Sequence, residues 1–290
     1  MKQVIERFME KRPRCEAIIG YGSGVIKQKG QENRKVQVDL IVVVKDLKKW
    51  HKENIKLNPN DYSFTGKNFL TNGSLTWLKK GGRICYLTYI EFEGNIFKLG
   101  TIEEKDFLDS LILWDTFYLA GRMQKPALVV KATSEIKEAI ETNRRMAVAA
   151  ALLISDERKI PMTELYETIV SLSYMGDTRM KFAENPHKVS NIVKGGIKFF
   201  EEAYGDCDLL KRVKGYVENK HSKKLIEELP ILLRAQIVEH DNQYKEVIIK
   251  YLTEKNKEES TLQTIKGIFT SGPMKSVKYA LAKIQRGRGK

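Results

Sequence analysis

IIGYGSGVIKQKG, residues 18–30, runs from two isoleucines into three glycines, Gly20, Gly22 and Gly24, set around Ser23. The next apolar run, VQVDLIVVV at 36–44, is β-branched and carries one carboxylate, Asp39. The first stretch predicts a short strand over 17–19 ending in a glycine turn, and the second a strong strand. A strand leading into Gly-Ser, then a second strand bearing an acid, is the nucleotidyltransferase arrangement. Bare glycines let backbone N–H groups approach a triphosphate. The acid holds Mg2+, which prefers oxygen ligands. That pattern usually has a second acid two residues on, and here the position is Ile41. A plain glycine turn, followed by a strand whose Asp is hydrogen-bonded or faces solvent, fits the same letters. Asp46, just past the strand, is either a second metal ligand or the cap of a following helix.

Charge narrows the partners. The chain has 290 residues, 51 Lys and Arg against 37 Asp and Glu, and a net charge of +14. An excess of this size favours an anionic partner, whether nucleic acid, acidic membrane or phosphorylated substrate. From Ser260 onward there are seven bases (Lys266, Lys275, Lys278, Lys283, Arg286, Arg288, Lys290) and no acid, half the net charge. Met274, Val277, Leu281 and Ile284 share an arc of roughly 80° on a helical projection, with the bases beside or opposite it. This predicts a basic amphipathic helix over about 272–287. No apolar run approaches the roughly 18 residues that span a bilayer. Three widely spaced cysteines, Cys15, Cys85 and Cys207, point to a reducing compartment and to no zinc site.

The expected fold class is α+β, a mixed sheet with helices followed by a mostly helical region. Residues 1–9 have helical spacing. RICYLTYIEF and NIFKLGTI flank EGN as a hairpin from Arg83 to Ile102. Leu108–Ala120 is apolar at helical spacing. After Pro126, Ser134 is placed to cap a helix with Ile136, Ile140, Ala147, Ala151 and Ile154 on one stripe, and Pro161 and Thr163 start another. Residues 209–252 predict helices broken near Pro230. Boundaries near 125 and 205 divide the chain into 1–125, 126–205 and 206–290.

In WHKENIKLNPNDYSF, residues 50–64, His51, Asn54 and Asn58 stand at i, i+3 and i+7 and share one helical face. A polar stripe is most often solvated, and a lone histidine most often structural. With YGSGV, Gln28 and Asp39, however, WH, Asn54, Asn58 and YS at 62–63 resemble the N-terminal signature of the mitochondrial-type CDP-diacylglycerol synthase, the translocator assembly and maintenance family of phosphatidate cytidylyltransferases. FKLG at 97–100, FYLAGRMQKP at 117–126, LSYMGDTRM at 172–180, ENPHKVSNIV at 184–193 and TIKGIFTSGPMKSVKY at 264–279 extend the resemblance in order, with 206–258 weaker. Two places depart. Gly81-Gly82-Arg83 and Cys85-Tyr86-Leu87 lack the asparagine of the family's Tyr-Tyr-Asn run, so no nucleotide contact is assigned there. Leu99 stands where a tyrosine is usual.

The resemblance implies a nucleotidyltransferase domain, a winged-helix-like domain and a C-terminal membrane-contacting helix. The implied reaction is CTP plus phosphatidate giving CDP-diacylglycerol and pyrophosphate, with Mg2+. It implies catalytic roles for Asp39, Lys98, Arg122 and Lys125, and nucleotide binding by Gly22, Ser23, Gly24, Gln28, His51, Asn54, Tyr62 and Ser63. Asp39 and Asp46 are the candidate metal ligands, and Arg179, Lys188 and Lys194 the candidates for the lipid phosphate. The partners implied are CTP, phosphatidate and an anionic membrane surface, without nucleic acid. MKQVIERFMEKRPRCE has no presequence character, so the expected location is cytoplasmic, in a bacterium, peripheral on the inner face of the cell membrane. A nucleotidyltransferase acting on RNA, or a non-catalytic DNA-binding regulator with a vestigial first domain, remain as alternatives.

Overall fold

The structure is a computed structural model and describes residues 1–22, 24–25, 37–63, 67, 82–176, 187–213, 215–220, 223–240 and 243–271. The chain is α+β, as expected, and divides into two compact units. The first comprises Met1–Phe107, Ala127–Ile136 and, among the described residues, 260–271, and the second Leu108–Pro126 and Lys137–Glu259.

In the first unit, helix α1 (Lys2–Glu10) turns Ile5, Phe8 and Met9 inward. Strands β1 (Ala17–Tyr21) and β2 (Val38–Val44) pair antiparallel, with Tyr21 opposite Asp39. Helix α2 (Leu47–Leu57) follows. The hairpin β3 (Cys85–Phe92) and β4 (Asn95–Glu103) is closed by Glu93 and Gly94, at φ 46° and 73°. Two left-handed residues give the primed turn that matches strand twist. Strand β5 (Ala127–Lys131) lies beyond the expected boundary near 125 and pairs antiparallel with β1. The order is β3-β4-β2-β1-β5, with β2 and β4 parallel.

Alternation along β2 sorts its side chains. Val38, Leu40, Val42 and Val44 join Ile5, Phe8, Leu47, Trp50, Phe97 and Leu99 in one core. Phe8 stacks on Phe97 at 4.0 Å. Full burial of such a side chain contributes about 1.5–3 kcal/mol. Asp39, Ile41 and Val43 therefore point to the opposite face. Arg12 donates to the Phe8 carbonyl and to Asp61, both at 2.6 Å, and so fixes the turn Pro59–Asp61 against α1.

The second unit begins within α3 (Glu104–Leu113) and includes α4 (Ala120–Met123) and most of α5 (Ser134–Ile154). Thr133, rather than Ser134, caps α5, its hydroxyl accepting from the Ile136 N–H at 3.3 Å. Helices α6 (Met162–Leu172), α7 (Lys188–Gly195), α8 (Ile197–Tyr204), α9 (Lys223–Glu227), α10 (Ile231–Glu239) and, as far as Glu259, α11 (Tyr244–Ser271) follow. Their core holds Trp114, Tyr166, Phe200, Tyr204 and the run Ala147–Leu153. Short strands β6 (Lys159–Pro161), β7 (Arg212–Val213) and β8 (Tyr216–Glu218) form an antiparallel sheet in the order β6-β8-β7. It joins residues from both sides of the expected boundary near 205, and the helix expectation over 209–252 missed two of its strands. Among the described residues no helix is long and apolar enough to cross a membrane. The helix expected over 272–287 lies outside the described residues.

Helix α11 is tied down by polar groups on its inner face. The Tyr251 hydroxyl donates to the Trp114 carbonyl at 2.8 Å and Asn256 to the Leu172 carbonyl at 2.9 Å. Glu259, 4% exposed, accepts the Phe117 N–H at 2.5 Å. Burial pushes its carboxyl up to about 7, against the pull of the Phe117 and Tyr118 amides. The folded chain therefore holds this proton more tightly than the unfolded chain. Stability falls as pH rises from the ordinary carboxyl range through about 7, by an amount of order 3 kcal/mol. The Glu259→Gln variant should gain on the parent in melting temperature as pH is raised from 5 to 8. A difference that stays flat across that range would show that Glu259 does not titrate there.

Candidate active site

The pairing of three strands brings Gly22, Asp39 and Lys98 to one end of one face of the first sheet. Asp39 stands opposite Tyr21 on β1 and level with Lys98 on parallel β4. Gly22 follows Tyr21 directly, at φ 77°, a conformation glycine adopts without cost. A Cβ on Gly22 would lie 3.3 Å from the Asp39 Oδ2. The other carboxylate oxygen accepts from the Gln37 amide at 2.8 Å. Asp39 is half-buried, neither sealed in the core nor fully in water. A single carboxylate beside a bare glycine and one lysine suits a divalent cation whose remaining ligands are phosphate oxygens and water. Among the described residues no cluster of three or more His, Cys, Asp or Glu could hold a metal by itself.

Two tyrosines complete this end of the sheet, and the sequence reading assigned neither. The Lys98 ammonium lies 4.0 Å from the centroid of the Tyr86 ring. The Tyr86 hydroxyl meets that of Tyr21 at 3.2 Å. Between Leu87 and Ile90 the register of β3 on β4 shifts, so Thr88 and Tyr89 both stand against Lys98. Tyr89 has φ 59°, an uncommon backbone for an aromatic residue and one found at functional sites. Counting back from the Glu93-Gly94 turn in plain register would have set Tyr86 opposite Thr101, on the other face. The bulge sets it opposite Gly100.

The glycines are bare for reasons internal to the chain. A Cβ on Gly24 would come within 2.0 Å of the Gln37 carbonyl oxygen, and one on Gly20 within 3.0 Å of Val25. The turn closes against the start of β2, so at Gly24 the group that approaches the backbone is the Gln37 carbonyl. Ser23 and Gln28 lie outside the described residues.

The proposed nucleotide-binding residues of α2 go to the opposite face. His51 is fully buried. Its Nδ1 pairs with the Tyr62 hydroxyl and its Nε2 with the Thr101 hydroxyl, both at 2.9 Å. Asn54 donates to the Tyr62 hydroxyl at 2.8 Å and accepts from Asn58 at 2.8 Å. Thr101 is level with Val42, so this network sits beneath α2 on the core face. Burial pushes the imidazole down to about 3 and the Tyr62 phenol up. The polar atoms of His51, Asn54 and Tyr62 are thus taken up within a buried network, where the expected nucleotide-binding roles would ask for an open face. Ser63 follows Tyr62, its carbonyl accepting the Lys67 N–H at 3.0 Å. Asp46 caps α2 by accepting from the Lys49 N–H at 2.8 Å. It stands beyond the far end of β2, roughly 20 Å along the strand direction from Asp39, so the two cannot share a metal.

In the second unit, Gly121 is pressed on Ser173, where a Cβ would come within 2.5 Å of the serine Cβ. Lys125 donates to the Ser173 hydroxyl at 2.5 Å and lies 4.6 Å from the Tyr174 ring centroid. Lys188 approaches the same ring at 4.9 Å. The Arg122 guanidinium lies over Tyr118 at 4.2 Å. Lys194 is exposed in the last turn of α7, and Arg179 lies outside the described residues.

The family profile described as "Phosphatidate cytidylyltransferase, mitochondrial" matches residues 1–234 and 213–286. The chain belongs to that family, and with it to the nucleotidyltransferase class of enzymes. Curated relatives carrying the same name include a Schizosaccharomyces pombe protein, 35% identical over 94% of this chain and 80% of its own length. A Bos taurus protein is 30% identical over 98% of this chain and 93% of its own length. A solved nucleotidyltransferase-like protein from Exiguobacterium sibiricum 255-15 aligns with 12% identity and a TM-score of 0.26, covering 100% of this chain and 81% of that one. Enzymes that transfer a nucleotide from CTP generally need a divalent metal. The expected bacterial location on the inner face of a cell membrane is overturned, because the matching relatives are named mitochondrial. The composition of the N-terminal residues does not report the compartment.

The buried network makes a direct prediction. His51→Ala should cost about 2–4 kcal/mol, because it opens a cavity and strands the Tyr62 and Thr101 hydroxyls. With a folded pKa about 3 against an ordinary 6.5, His51 also makes stability fall as pH drops below about 6.5, where only the unfolded chain takes the proton. Calorimetric melts of parent and variant between pH 4 and 8 measure both effects. A variant with parental melting temperature but weakened CTP binding would return His51 to the nucleotide.

Proposed function

We propose that this chain transfers the cytidylyl group of CTP to phosphatidate, giving CDP-diacylglycerol and pyrophosphate, with Mg2+ as the metal. The observation that carries the reading is the junction of Gly22, Asp39 and Lys98 at one end of the sheet. The names borne by the relatives support the two substrates.

The chemistry suits the residues. A phosphate oxygen of phosphatidate attacks the α-phosphorus of CTP. The bond from that phosphorus to the oxygen leading to the β-phosphate breaks, and pyrophosphate leaves. A phosphate monoester loses its second proton near pH ~6, so the nucleophile is already largely dianionic. No strong base is called for, which accords with a buried, neutral His51. The difficulty is the meeting of two polyanions, and fixed positive charge relieves it. Asp39 would hold Mg2+, which lowers the negative charge on the phosphates. Lys98 takes a phosphate oxygen as a point charge. The resemblance also assigns phosphate charge to Arg122 and Lys125, Arg122 as a bidentate donor and Lys125 as a point charge, and makes Lys188 a candidate for the lipid phosphate. The basic residues of 272–287 meet anionic lipid at the membrane surface, and nucleic acid has no part.

The test is turnover of labelled CTP on vesicles containing phosphatidate, with parent and Asp39→Asn. Asn keeps the shape and loses the charge. Turnover should fall by about a hundredfold or more, with the melting temperature kept within a few degrees. Parental turnover by the variant at limiting Mg2+ would remove Asp39 from the metal. Label passing into RNA, and none into lipid, would replace phosphatidate as the acceptor.

A further inference from the structure

We propose that Tyr86 is a positioning residue, set by the β3 bulge to hold the Lys98 ammonium on the face of the sheet that carries Asp39. The inference rests on the role of Lys98 given above and adds a residue that the sequence left without one.

The register shift comes first. In unbroken pairing Tyr86 would stand opposite Thr101 and face the core that holds His51. The extra residue between Leu87 and Ile90 moves it opposite Gly100, and one step in register carries a side chain to the other face. The bulge therefore brings Tyr86 to the face that carries Asp39. It also sets the chain at Tyr89 in a left-handed conformation, a local cost that plain pairing would avoid.

Gly100 receives the ring. A Cβ at that position would lie 2.6 Å from the Tyr86 Cε1, so the ring lies where a side chain on β4 would otherwise stand. Two residues away along β4, on the same face, the Lys98 ammonium lies over the ring, 4.0 Å from its centroid. The outer end of the ring is held by Tyr21, whose hydroxyl is 3.2 Å from that of Tyr86. Tyr21 is the β1 partner of Asp39, and Lys98 is its β4 partner. The two neighbours of the metal-binding acid are thus joined to each other through Tyr86.

A lysine needs such a support. Its ammonium is a compact charge on a flexible four-carbon stem. A charge that stabilises a transition state acts fully only when its place is fixed beforehand. The face of an aromatic ring attracts the ammonium without neutralising its charge.

A double-mutant cycle on the full-length protein tests the inference, with kcat and KM for CTP read on phosphatidate vesicles. Tyr86→Leu removes the ring and should lower kcat about tenfold while KM for CTP moves less than about threefold. Tyr86→Phe and Tyr21→Phe each break the hydroxyl pair and keep the ring. Each should cost kcat about two- to fivefold, and the two together no more than either alone. In a Lys98→Ala background all of these changes should leave kcat where Lys98→Ala alone puts it. The phenylalanine variants keep the test open if Tyr86→Leu does not fold. Equal losses with and without Lys98 would overturn the inference, since Tyr86 would then act on something else. Unchanged kcat in Tyr86→Leu would overturn it as well. If Lys98→Ala itself leaves kcat at the parental level, the role of Lys98 fails and this inference with it, whatever Asp39→Asn does.

Discussion

The parallel pairing of β2 with β4 is the constraint on which the rest of the first unit depends. It sets Asp39 level with Lys98, and the antiparallel partner β1 adds Tyr21 and then Gly22. A strand has a side-chain period of two, so a slip of one residue in any of these ladders would send its polar group into the core. The apolar residues that prevent the slip are Val38, Leu40, Val42 and Val44 on β2 and Phe97 and Leu99 on β4, all buried against α1 and α2. The core thus fixes the register, and the register fixes the site on the opposite face.

The same two-faced sheet explains two kinds of polar residue. Asp39 and Lys98 are half-buried and face away from the α2 core. His51, Asn54 and Tyr62 are sealed under α2 and satisfy one another. A buried polar group is costly unless it is hydrogen-bonded, and each member of this network has its partner. Burial holds His51 neutral across the physiological range, so it contributes to the architecture of the sheet rather than to proton transfer.

Much of this was legible in the sequence. The β-branched run around Asp39, the glycine turn and the hairpin around EGN each follow from local chemistry, and the structure has all three as β1, β2, β3 and β4. The i, i+3 spacing of His51 and Asn54 correctly placed them on one helical face. Spacing does not say whether that face meets solvent, ligand or core, because a polar group can be satisfied in each. Gly24 carries the same ambiguity, since a bare glycine marks close approach without naming what approaches. The approaching group here is the Gln37 carbonyl. Tyr86 was invisible for another reason: its face depends on a one-residue bulge, and the strand pattern CYLTYIEF does not show where that bulge falls. β5 and the small strands β7 and β8 are short or lie beside helical segments, and their pairing is set by tertiary partners rather than by local preference.

A crystal grown with CTP and Mn2+, read by anomalous scattering, tests the account at its centre. Manganese takes the same oxygen ligands as magnesium. The account predicts an anomalous peak at about 2.0–2.3 Å from an Asp39 carboxylate oxygen, with the triphosphate against Gly22 and Lys98 and no density for the nucleotide at His51. A metal bound away from Asp39, or a triphosphate on the α2 side of the sheet, would contradict it.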